Sequence, residues 1–134
     1  MLLASLSLLL VNQKLMRQSL MQFSESLPLL SYKCYTLPTS FVLKITSKSV
    51  RPTAYILKGT FSVNLNILND IAVVDYVKNK GRFGLNYLFL SSFHNYRFTL
   101  NTFTNETTPL PSLLLCSFSG VSLFSSAGWL EREV

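Results

Sequence analysis

"NLNILNDIAVVDYVKNKGRFGLNYLFLSSFHNYRFTLNTF", residues 64–103, decides the fold of this chain. It is rich in β-branched and aromatic residues and is broken twice, at Lys78-Asn79-Lys80-Gly81 and at His94-Asn95. Asn and Gly tolerate the positive φ that tight reversals require, so the stretch reads as three strands joined by turns. In "YRFTLNTF", Tyr96, Phe98 and Leu100 alternate with Arg97, Thr99 and Asn101. Side chains of a strand point alternately to its two faces, so one face of this strand is apolar and the other wet or partnered. "FGLNYLFL" alternates weakly, and Tyr87 to Leu90 is apolar on both faces. That pattern predicts a central strand covered on both sides.

Working outward, "YKCYTL" (32–37) and "FVLKIT" (41–46) flank Pro38-Thr39-Ser40 and read as a hairpin or a pair of edge strands. Pro52 is suited to open a short helix, "PTAYILKG", with Gly59 as its stop. "TNETTPLPS" (104–112) is a proline-punctuated loop. Its Asn105-Glu106-Thr107 sequon carries weight only in a secreted protein. Beyond it, Gly120 splits "LLLCSFSGVSLF", and Ser125 or Ser126 is placed to cap a short closing helix in "SSAGWLEREV". At the other end, "MLLASLSLLLV" is shorter than the roughly 20 apolar residues of a membrane-spanning helix. No positive charge precedes it, which favours a docking helix with a stripe of Leu6, Leu9, Leu10, Met16, Leu20 and Phe23 over a cleaved signal. Pro28 ends that helix near Glu25. The expected organisation is an N-terminal helix and linker over residues 1–30, then one domain over residues 31–134.

Composition narrows the function. The 134 residues are 49% hydrophobic and only 13% charged, too few charges to clothe a free surface, so much of the outside is expected to meet other proteins. Twelve Lys and Arg against six Asp and Glu give a net charge of +6, without a basic run that would mark a nucleic-acid arm. Cys34, Cys116 and the single His94 offer no metal-ligand spacing, and the cysteines read as small buried hydrophobes. Asp70 and Asp75, five apart, fall on opposite faces of a strand and make no acid–base pair; a turn or strand-end cap is the preferred reading of each. The glycines form no phosphate cradle, and no constellation resembles an active site. What remains is the closing Glu131-Arg132-Glu133 beside Trp129. It is either a solvated helix end or a partner anchor, since Trp and Arg are enriched at interface hot spots.

"GVSLFSSAGWLEREV" closely resembles a stretch of the thirty-kilodalton subunit of NADH:ubiquinone oxidoreductase, respiratory complex I, especially its mitochondrially encoded form. Leu123-Phe124, Ser126-Ala127-Gly128-Trp129 and Glu131-Arg132-Glu133 match that family's signature. The upstream match falls on Asp70, Ile71, Val74, Asp75, Tyr76, Arg82, Phe83, Tyr87, Leu90, Ser91 and Arg97. Residues 57–102 and 121–134 carry the resemblance. The resemblance implies an α+β fold: a two-layer domain with a mixed sheet covered by helices on one face. It implies a non-redox scaffold subunit of the matrix arm at the mitochondrial inner membrane, gripping the forty-nine-kilodalton subunit of the quinone site. FMN, iron–sulfur clusters and ubiquinone would belong to other subunits. Trp129, Glu131, Arg132, Glu133 and Arg97 become the expected interface residues, the acidic and basic groups of the triplet finding their partners outside this chain. Relative to the family the chain is longer between Glu106 and Phe124 and lacks the basic tail after Val134; a separate polypeptide is expected to supply that tail.

The runner-up is a small basic RNA-binding or ribosomal module, with Phe83, Tyr87, Phe98 and Phe103 stacking on bases and Lys78, Lys80 and Arg97 on phosphates. A membrane-surface protein held by its N-terminal helix is a weaker third reading, because that helix carries few basic residues.

Overall fold

A computed structural model describes residues 14, 18, 21, 31–36, 40–77, 81–114 and 123–134. Five strands form one mixed sheet: β1 (Ser31–Thr36), β2 (Ser40–Thr46), β3 (Ile67–Asp75), β4 (Phe83–Ser91) and β5 (Tyr96–Thr104), in the order β1-β2-β5-β4-β3. Among the described residues, helices α1 (Val50–Gly59) and α2 (Ala127–Glu133) accompany them, so the fold is α+β as expected. Lys14, Gln18 and Met21 are helical. The remainder of the expected N-terminal helix, Pro28, Cys116 and Gly120 lie outside the described residues.

The stretch 64–103 folds as an antiparallel meander of β3, β4 and β5. Asn95 takes φ 49° at the second reversal, as its residue type requires. β1 and β2 pair antiparallel, but β2 is not an edge: it also runs parallel to β5, with Phe41 beside Phe98 and Leu43 beside Leu100. A parallel neighbour needs a long crossover. Here that crossover contains α1, β3 and β4, a non-local pairing that no short window of sequence reveals.

α1 starts at Val50, two residues before Pro52. The first turn of a helix leaves its N–H groups without helical partners, so proline is tolerated there. Gly59 is its last residue. The stop itself is Thr60, extended, whose N–H and hydroxyl both donate to the Ile56 carbonyl, at 2.9 and 2.7 Å. Val50, Thr53, Ala54 and Leu57 form the buried stripe of α1. They join one cluster with Phe41, Leu43 and Ile45 of β2 and Phe98 and Leu100 of β5. Phe41 stacks on Phe98 at 5.2 Å between ring centroids, an arrangement aromatic pairs favour. Leu113, Leu123, Phe124 and Ala127 close the same side of the sheet, so both helices contribute to one core.

β4 departs from its expected cover. Tyr87 and Phe89 are buried in this core, but Leu88, on the opposite face, is 36% exposed. An apolar run tells that both faces need covering; it does not tell whether the cover belongs to the same chain.

Candidate interface site

α2 presents the closing triplet in three different environments. Trp129 is 67% exposed and its indole N–H donates to Glu133 Oε1 at 2.9 Å, one helical turn on. Arg132 is exposed and meets no acceptor among the described residues. Glu131 turns inward instead: Ser112 Oγ donates to its Oε2 at 2.6 Å, and the Leu113 backbone N–H donates to its Oε1 at 2.7 Å. Partners outside the chain were expected for all three ionisable residues; within the chain, Glu131 engages Ser112 and the Leu113 N–H and Glu133 accepts from the Trp129 indole. The Glu131 carboxylate satisfies a backbone N–H beside the fully buried Leu113 side chain, a group that would cost free energy if left unpaired. Arg51 of α1 donates Nε–H to the Ser112 carbonyl at 3.0 Å, tying the same loop to the other helix. Ser112 and Arg51 escaped the sequence reading because they lie far from Glu131 in sequence and match no motif.

Burial pushes the Tyr87 phenol up to about 12, and the nearby Glu131 carboxylate adds to the shift by disfavouring a second negative charge. Ser126 stands at the N-cap of α2, but its hydroxyl does not cap the helix. It donates to the Leu68 carbonyl at 3.0 Å and so fastens α2 to β3.

A second constellation joins strand ends. Arg82 donates Nε–H to Asp75 Oδ1 at 3.0 Å and Nη2–H to Asp75 Oδ2 at 3.0 Å, and it also reaches Glu106. These acceptors hold its guanidinium more basic than usual, with the Asp75 hydrogen bond the largest cause. Asp70, aligned with Leu88, accepts its neighbour's Ile71 N–H at 2.8 Å, while Asp75 aligns with Phe83. The two aspartates therefore lie on opposite faces and do not converge. His94 sits in the β4–β5 turn, its Nε2 3.2 Å from the Phe61 carbonyl. Cys34 is half-buried, its sulfur 3.6 Å from that of Met21. Among the described residues no group of three His, Cys, Asp or Glu is placed to hold a metal ion.

Arg97 is not brought together with the triplet. It alternates with the buried Phe98 and so lies on the sheet face opposite the core that α2 helps to close. The residues of the RNA reading are split as well. Tyr87 and Phe98 are buried in the core and Phe83 packs against it, whereas Phe103 lies on the other face with Arg97. Lys78 and Lys80 lie outside the described residues.

Sheet order, helix cover and the terminal clasp define a mixed-sheet α+β domain. A family model described as the 30 kDa subunit of respiratory-chain NADH dehydrogenase matches residues 43–134. The chain belongs to that family. It is 37% identical over 114 residues to NADH dehydrogenase [ubiquinone] iron-sulfur protein 3 of Beta trigyna, covering 77% of this chain and 56% of the relative. It is 34% identical over 89 residues to the mitochondrial protein of that name from Candida albicans, covering 66% of this chain and 29% of the relative. Subunit 9 of NADH-ubiquinone oxidoreductase from Reclinomonas americana is 39% identical over 79 residues, 59% of this chain and 35% of that protein. The chain thus spans from under a third to little more than half of these relatives' lengths.

Proposed function

We propose that this chain is a structural subunit of the peripheral arm of respiratory complex I, on the matrix side of the mitochondrial inner membrane. It supports electron transfer from NADH to ubiquinone by scaffolding the forty-nine-kilodalton subunit of the quinone site, and it performs no redox chemistry itself. The family match over residues 43–134 is the observation that carries this reading. A relative named as a mitochondrial protein supports the location. Two cysteines and one histidine in the whole sequence are fewer than the four ligands that an iron–sulfur cluster takes, which supports a non-redox role. FMN, clusters and ubiquinone are accordingly assigned to other subunits. No described helix is long and apolar enough to cross a membrane. Trp129 and Arg132 supply the exposed aromatic and cationic anchors of the contact, with Glu133 holding the indole in place.

Native-gel separation of mitochondrial membranes, with mass spectrometry of the band that oxidises NADH, tests the reading. Peptides of this chain are expected in that band. Their absence there, with recovery in ribosomal fractions, would overturn it.

A further inference from the structure

The sheet has two faces, and the described core lies on one. On the other, the strands set two chemically different halves side by side. Ile67 and Val74 of β3 with Leu88 and Leu90 of β4 make an apolar half. Lys33 of β1, Lys44 of β2 and Arg97 of β5 make a cationic half. Asp70, beside Leu88, is the carboxylate that the strands place on this face, and it is engaged by the Ile71 N–H. The cationic half is built rather than loose: the Lys44 ammonium lies 5.5 Å from the Tyr35 ring centroid and 5.7 Å from that of Phe103. Between the halves, Asn101 Nδ2 donates to Asn86 Oδ1 at 2.6 Å, while Asn101 Oδ1 is buried without a hydrogen-bond partner.

A sheet containing a parallel pair, with an apolar strip on its second face, calls for a second layer. A second copy of this chain fits poorly, because a two-fold face-to-face pairing would set Lys33, Lys44 and Arg97 either against the same cations or over the other copy's apolar strip, in both cases without a row of carboxylates to pair them. Met21 does not lie on this face: its sulfur touches Cys34, which aligns with Leu43 on the core face. RNA would need free stacking rings on this face: Tyr87 and Phe98 are buried on the opposite one, and the Tyr35 and Phe103 rings that do lie here flank the Lys44 ammonium, with Tyr76 packed on Phe103. We propose that the open face docks an acidic amphipathic helix of a different polypeptide, its apolar stripe on β3 and β4 and its carboxylates over Lys44 and Arg97. The occupant's membership of respiratory complex I rests on the function proposed above; the docking chemistry does not.

A zero-length carbodiimide, which joins an ammonium to a carboxylate in contact with it, tests this on the native assembly isolated through the intact chain. Lys44 and Lys33 are expected to couple to Asp or Glu of another polypeptide, with apolar residues three and four positions from each coupled carboxylate. In the same assembly they should acetylate about tenfold less than the exposed Lys48, as expected of amines engaged with carboxylates. Lys44→Gln should lower recovery of the coupled partner about tenfold, and Arg97→Gln, remote from the Tyr35–Phe103 sandwich, should do the same without disturbing it. Coupling confined to this chain, to a second copy or to a polypeptide without that spacing would overturn the proposal. So would ribonuclease-sensitive recovery of the assembly, or Lys44 as reactive as Lys48. A partner from outside NADH dehydrogenase would instead overturn the function and leave the docking mode standing. Migration with the NADH-oxidising band while Lys44 couples to nothing would do the reverse.

Discussion

Glu131, Trp129 and Arg132 are near neighbours in the chain and do different work. The Glu131 carboxylate accepts from Ser112 and from the Leu113 N–H, so Glu131→Ala should destabilise the fold by about 1–3 kcal/mol, measured by urea unfolding. Glu131→Gln keeps an acceptor oxygen and should cost less. Arg132→Ala removes an exposed cation, so stability should change by no more than about 0.5 kcal/mol. Under the proposed function, levels of intact complex should nonetheless fall markedly, because an anchor charge removed from an interface leaves the partner's charge unpaired. Unchanged levels on native gels would count against Arg132 as an anchor. The sequence showed that this triplet was worth notice in so charge-poor a chain. It did not show that one acid faces inward, because Ser112 and Glu131 meet only when the loop and α2 close on the same core.

At the scale of elements, all three strands of the 64–103 stretch were legible because period-two alternation and Asn or Gly turns are local signals. The place of β5 was not. It lies at the middle of the sheet, between β2 and β4, and carries Phe98 and Leu100 into the core. Phe98→Ala should therefore cost about 3–5 kcal/mol in thermal or chemical unfolding, where an edge position would cost less. A second test concerns β4. A methyl on Gly84 would stand 2.7 Å from the Tyr76 ring and 3.2 Å from Phe103, two rings that pack at 5.9 Å over that strand end. Gly84→Ala should displace the exposed Tyr76 ring, visible as a changed tyrosine signal, at a cost of about 1–3 kcal/mol. Gly84 is required by the closeness of that ring rather than by its own φ.

For the whole molecule, burial of Tyr87 in the core, with a smaller contribution from Glu131 of α2, makes stability depend on pH at the alkaline end. Tyr87 ionises near its ordinary value of 10.0 when unfolded and near 12 when folded. Below pH 10 both states are protonated and the stability is fully present. Between 10 and 12 only the unfolded state releases the proton, so stability should fall by about 1.4 kcal/mol per pH unit, about 3 kcal/mol in all. Urea unfolding at pH 9 and 11.5 measures this, and Tyr87→Phe should flatten the dependence. The sequence by itself determined the strands, the turn residues, the short α1 and the family, since these rest on periodicity, dihedral preference and residue order, all local or ordered properties. Only the tertiary structure decided which strand is central, which face stays open and which ionisable groups find partners within the chain. Those depend on contacts between residues far apart in sequence, such as Phe41 with Phe98, Asp75 with Arg82 and Glu106, and Ser112 with Glu131. A one-dimensional pattern states that a group needs burial or a partner; the closed fold determines where each is found.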